Sequence, residues 1–229
     1  MNESGYFSSM VEPNAAPEAQ ATLPWPPPPG ASVIGSFVRT WTESLFRPGE
    51  FFSKIPETGD TGAAVLYYGI IGMIAAVFGL FWNLVIAAAA ASNPVVGQVA
   101  EALDLPTGAL EPIVVFLFTP VILALLLAVV FAVIHVGLLI FGGARRGAGT
   151  TLRVLCYAYG PTVFAAIPYI GPLVGYIWMV VLAIVGLTSA HRTDGWRAAL
   201  AVLLPLIGLF AIVIFLAMIL AIAAVGMSS

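Results

Sequence analysis

The sequence predicts an all-α, polytopic integral membrane protein. It has five transmembrane helices, a cytoplasmic N-terminus and an outside C-terminus, and an interfacial amphipathic helix precedes the spans. Three observations predict this. The 229 residues are 61% hydrophobic and only 8% charged, with a mean hydropathy of +1.05, where a soluble domain has about a quarter of its residues charged. Uncharged runs cover 61–100, 112–144, 154–191 and 198–229, each longer than the roughly 20 residues that cross a hydrocarbon core. The eight basic residues fall in three clusters only: Arg39, Arg47 and Lys54; Arg145, Arg146 and Arg153; Arg192 and Arg197.

The run 154–191 decides the number of spans. As one helix it would be about 57 Å long, nearly twice the hydrocarbon thickness. Pro168-Tyr169-Ile170-Gly171-Pro172 supplies the proline and glycine of a tight hairpin, so the chain is expected to turn there and cross back. With five spans every basic cluster lies on the cytoplasmic side, as the positive-inside rule prefers. The loop 92–112 then lies outside with Glu101, Asp104 and Glu111 and no basic residue. Tyr169, Tyr176 and Trp178 are expected toward the outer surface, and Trp41 and Trp196 at the inner one.

Residues 1–31 read as a disordered proline-rich tail with no signal-peptide core, and the first span is expected to direct insertion. Pro24-Trp25-Pro26-Pro27-Pro28-Pro29-Gly30 favours extended polyproline II. It serves as a spacer or as a ligand for a proline-recognising groove. Residues 32–57 form an interfacial amphipathic segment. Ser32 caps a helix that carries Ile34, Phe37, Val38, Trp41 and Leu45 on one face and Arg39 and Glu43 on the other, and Arg47-Pro48-Gly49 ends it. Residues 58–229 hold the five spans, at about 63–89, 113–140, 151–168, 172–190 and 198–225. Asn93 and Pro94 open a short external helix over 94–103. Gly72, Ala76 and Gly79, with Ala183 and Gly186, let helices approach closely.

Chemistry-bearing groups are few. No Asp, Glu, Lys or Arg lies near the middle of a span, which argues against ion-coupled transport. The polar groups inside spans are Asn83, His135, Thr119, Tyr157, Tyr159, Thr162 and Thr188, and Asn83 and His135 are the intramembrane polar candidates. His135 is expected to be neutral and hydrogen-bonded across helices, and His191 to be solvated or interfacial beside Arg192. Arg145, Arg146 and Arg153 are candidates for an anionic-lipid contact. The lone Cys156 excludes an intrachain disulfide and a multi-cysteine metal site. Two distant histidines do not make a zinc site, so no metal or cofactor is expected. Neither a nucleophile elbow nor a nucleotide loop is present, and no basic, aromatic-interleaved tract points to nucleic acid.

Two stretches carry a family resemblance. FVRTWTESLFRPGEFFSKIPE, residues 37–57, presents Trp41, Pro48, Phe51-Phe52 and Pro56. Residues 151–205 present Tyr157, Tyr159-Gly160-Pro161, the Pro168–Gly171 hairpin, Trp178 in the following helix and His191 after it. Together they resemble the Yip-one domain family, multi-span proteins named for interaction with Ypt/Rab GTPases, in a bacterial-type member. The resemblance implies five spans and membrane-organising roles through protein partners. The Asp-Leu that precedes the eukaryotic Tyr-Gly-Pro motif is absent, which points away from GTPase binding. The expected protein is therefore a non-enzymatic membrane protein in a bacterial cytoplasmic membrane, organising membrane or protein partners or self-associating through its cytoplasmic face. The alternative is a small-solute permease with a polar path near Asn83, His135 and Tyr159.

Overall fold

The computed structural model describes residues 23–103, 105 and 107–228, so most of the expected tail lies outside the described residues. The chain forms α1 (Val33–Phe46), α2 (Pro48–Ser53), α3 (Thr61–Ser92), α4 (Pro94–Ala102), α5 (Leu110–Ile140) and α6 (Gly147–Ala158). A 3-10 segment (Gly160–Ala166), α7 (Ile170–His191) and α8 (Gly195–Ser228) follow. No strand occurs among the described residues. α3, α5 and α7 are each long and apolar enough to cross a membrane, and the opening of α8, Gly195–Gly208, is a further apolar helix.

Local chemistry sets the helix boundaries. Ser32 Oγ accepts from the Gly35 amide to start α1, and Pro48 opens α2. Asp60 Oδ1 accepts from the Ala63 amide at the head of α3. Asn93 Oδ1 caps α4, with Pro94 in its first turn, each cap satisfying an amide that has no partner within the helix.

α6 and the 3-10 segment occupy the centre. α3, α5 and α7 surround α6, and α3 and α7 flank the 3-10 segment. The start of α3, the end of α5, the start of α6, the end of α7 and the start of α8 meet at one end of the molecule. Three side chains tie them together. Arg153 reaches Gly59 and Thr61, Arg146 reaches Ala190, and Arg197 reaches Phe141 and Gly142.

The third segment differs from the continuous helix expected over 151–168. Pro161 supplies no amide, and above Tyr159 the α-helix gives way to tighter 3-10 winding. At about 2 Å per residue that winding climbs faster than an α-helix. Its last residue, Ala166, accepts a hydrogen bond from Trp82 Nε1 at 3.1 Å. Trp82 stands about 32 Å along α3 from Thr61, so the short segment rises to the height of a hydrocarbon core. The return turn is tight: the Ile170 amide donates to Pro168 O at 2.7 Å, with Tyr169 at φ 62. Gly171 then passes so close to Phe164 O that a β-carbon there would collide with it.

Two expectations change at the N-terminal arm. The buried face of α1 is Ser36, Thr40, Ser44 and Leu45, turned about 80° from the centre of the expected apolar face at 100° per residue. Ile34 and Val38 consequently point outward. The two most deeply buried hydroxyls cost little because they bond within the helix, Thr40 Oγ1 to Ser36 O and Ser44 Oγ to Trp41 O. Their small size lets α1 approach the bundle closely. The proline tract, expected as extended tail, instead curls. The Ala31 amide donates to Pro28 O, with Gly30 at φ 82, and Trp25 is buried with Nε1 donating to Ala63 O at 2.8 Å.

Candidate functional site

The polar groups of the protein concentrate at the basic end. Arg153, in the second turn of α6, is 3% exposed. Its guanidinium donates to Pro56 O at 2.7 Å, Glu57 O at 2.9 Å, Gly59 O at 3.3 Å and the hydroxyls of Thr61 and Thr150. A buried cation needs such a dense set of acceptors, and here they are the carbonyls of the α2–α3 loop. Arg146 continues the clasp, with Nε to Glu57 Oε1 at 2.8 Å and Nη1 to Ala190 O at 2.9 Å. Two of the three arginines expected to face lipid are therefore consumed inside the protein. Only Arg145 stays exposed, with Nη1 donating to Arg192 O. On the exposed side of the arm, Lys54 bonds Glu50 at 3.0 Å and holds that carboxyl below the usual carboxylate range.

Behind the clasp lies a hydrogen-bonded relay. The Arg146 amide donates to His191 Nδ1 at 3.2 Å, which leaves Nε2 as the N–H of that ring. Nε2–H then donates to Thr151 Oγ1 at 2.9 Å, and Thr151 Oγ1 and His135 Nδ1 share a second hydrogen bond at 3.0 Å. His191, expected at the surface, is fully buried, because the first turn of α6 covers it. His135 makes the cross-helix bond expected of it, and its ring stacks on Phe131 at 5.5 Å.

The sequence motifs meet one level further in. Trp41 Nε1 donates to Gly160 O at 2.9 Å, and Trp178 Nε1 donates to Leu45 O at 3.3 Å. Phe51 and Phe52 are fully buried. Phe51 meets Tyr157 edge-on at 5.4 Å, and Tyr157 lies 5.2 Å from Tyr67. The Tyr159 ring lies 4.4 Å from that of Tyr68. Gly160 is bare because a β-carbon would meet Leu45 Cδ1 at 2.9 Å, and Gly186 is bare because Val154 and Phe52 occupy its space. Pro161 O faces Gly175. Residues far apart in the chain thus form one wall, which fastens the α1–α2 arm to α6, the 3-10 segment and α7.

The profile of the Yip1 domain matches residues 42–225, a stretch that contains the clasp and all of this wall but Trp41. The chain belongs to the Yip1 domain family. No curated protein matches it significantly, and no solved structure does so either. The family and the apolar helices together make it an integral membrane protein of the Yip type.

Within the Yip1 domain, the residues considered for a polar path are not brought together. Tyr159 sits beside Tyr68, whose hydroxyl donates to Leu123 O at 3.0 Å. From that level Asn83 lies about 22 Å further along α3, and His135 about 18 Å along α5 in the opposite direction. Asn83 Nδ2 bonds Gly79 O of its own helix at 2.8 Å. Among the described residues no group of three or more His, Cys, Asp and Glu side chains is placed to hold a metal ion. Sequence reasoning missed Trp25 and Asp60. The Asp60-x-x-Ala63 cap has a detectable spacing, whereas nothing local marks Trp25 as an anchor.

Proposed function

We propose that this Yip1-domain protein is non-enzymatic and organises membrane or protein partners through the cytoplasmic surface of its basic end. It has five spans within residues 58–229, an inside N-terminus and an outside C-terminus, in a bacterial cytoplasmic membrane. The observation that carries this reading is the use of the motif residues: Trp41, Phe51, Phe52, Tyr157 and Trp178 are spent on joining arm to bundle, and Tyr159 on packing against α3, rather than on lining a cleft. Gathering the basic clusters at one end supports the orientation. The rise of the 3-10 segment to the level of Trp82 supports the fifth crossing. Separation of Asn83, Tyr159 and His135 along the bundle speaks against a permease.

A photoreactive amino acid placed singly at 47, 50 and 54 tests the reading in native membranes, with position 129 on α5 as the lipid-facing control. Discrete protein adducts at the first three and none at 129 are expected. Lipid adducts alone at every position, together with solute flux abolished by His135→Ala in a folded protein, would overturn it.

A further inference from the structure

Most ionic groups at the basic end have partners. Glu57 pairs with Arg146 and Asp194 with Arg197 at 3.0 Å. Arg145 and Arg192 do not pair: both are exposed, and among the described residues neither has a carboxylate within ion-pair distance. Separate loops bring them together, Arg145 Nη1 donating to Arg192 O at 3.0 Å. No carboxylate neutralises either guanidinium among the described residues, which leaves both charges open to an anion.

Arg192 also adopts an unusual backbone. It closes α7 at φ 50, ψ 47, with the Thr193 amide donating to Thr188 O. Glycine is the usual residue in this position, since a β-carbon is disfavoured there. An arginine held in a glycine conformation suggests that its charge serves another purpose.

The surroundings specify the anion. Leu139 and Ile140, at the end of α5, and Leu200, in the second turn of α8, are exposed apolar side chains on the two helices that adjoin the loops of Arg145 and Arg192. Arg197 bonds Phe141 O and Gly142 O and so joins these two helices at their rim. Trp196, 56% exposed with the Arg197 guanidinium 5.2 Å from its ring centre, has the amphipathic character of an interface residue. α6 opens beside Arg145 without a side-chain cap, leaving first-turn amides that favour an anion.

We infer that Arg145 and Arg192, assisted by the first amides of α6, bind the phosphate of an anionic phospholipid whose chains lie along Leu139, Ile140 and Leu200. The site relies on the orientation argued above only for its sidedness. Binding in detergent is blind to sidedness, so loss of the lipid site and loss of partner organisation are separable.

The test compares wild-type protein with Arg192→Gly, Arg145→Gln and the double variant. Gln gives up only an exposed hydrogen bond to the Arg192 carbonyl, which water replaces, and Gly relieves the backbone, so neither change is expected to lower thermal stability in neutral detergent. Native mass spectrometry and melting curves are recorded in micelles doped with phosphatidylglycerol or phosphatidylcholine, and with inorganic phosphate alone. Phosphatidylglycerol should bind and stabilise the wild type, with affinity falling about fivefold for each arginine removed, and more weakly at high salt. Equal binding of phosphatidylglycerol to wild type and double variant would overturn the inference. Full protection by inorganic phosphate alone would overturn the assignment to lipid.

Discussion

α5 and α6 are opposites. α5 is the more apolar, with 31 residues and no charged side chain after Glu111, yet most of its large side chains are exposed. α6 has 12 residues including two threonines, an arginine, a cysteine and a tyrosine, and from Thr150 to Ala158 only Leu152 escapes full burial. A water-soluble protein would invert this order. In a bilayer apolar surface gains little by leaving lipid, so close packing and hydrogen bonds hold helices together. The structural information of the domain is therefore concentrated in its least apolar helix.

This contrast ranks the effects of substitution. Arg153→Met should have the largest, about 3–5 kcal/mol, because it strands the carbonyls of the α2–α3 loop. Loss of the monodisperse species on size exclusion would report it, with Arg153→Lys intermediate. Phe52→Ala empties the space between Val154 and Gly186 and should cost about 3 kcal/mol, read as a shift in the denaturation midpoint in detergent. Thr151→Val interrupts the histidine relay and leaves His191 Nε2 and His135 Nδ1 unpaired, at about 2 kcal/mol, while Thr151→Ser restores stability. Trp41→Phe keeps an aromatic side chain but shrinks the indole and removes its hydrogen bond to Gly160, about 1–1.5 kcal/mol. Val129→Ala on exposed α5 should stay within about 0.5 kcal/mol. A cost at Val129 equal to that at Phe52 would mean that α5 packs against something beyond this chain.

Features with local causes were legible in the sequence. Ser32, Pro48, Asn93 and Pro94 act on amides within a turn, and they set boundaries where their spacing places them. All-helical character and the membrane class follow from composition. What was not legible depends on distant partners. The helical period of α1 marks Ile34, Phe37, Val38, Trp41 and Leu45 as one face, but the bundle takes the small Ser36-Thr40-Ser44 side together with Phe37, Trp41 and Leu45 and leaves Ile34 and Val38 outside. Arg153 resembles its neighbours Arg145 and Arg146 in sequence, and only the carbonyls of residues 56–59 distinguish it. His191 follows the same logic, since the turn that buries it lies 40 residues earlier. Trp25 sits in a tract whose composition reads as tail, and its pocket is built by Phe37, Ala63 and Tyr157.

The central claim is that the α1–α2 arm belongs to the bundle rather than lying free on the membrane. Thiol reactivity in native membranes tests it most directly. With Cys156→Ala as background, single cysteines replace Ser44, which is fully buried, and Arg39, which is exposed. A charged, water-soluble maleimide should modify position 39 promptly and leave position 44 unmodified until the protein is denatured. If position 44 reacts as fast as position 39, α1 does not pack through its small-residue face, and the wall built around α6 is wrong.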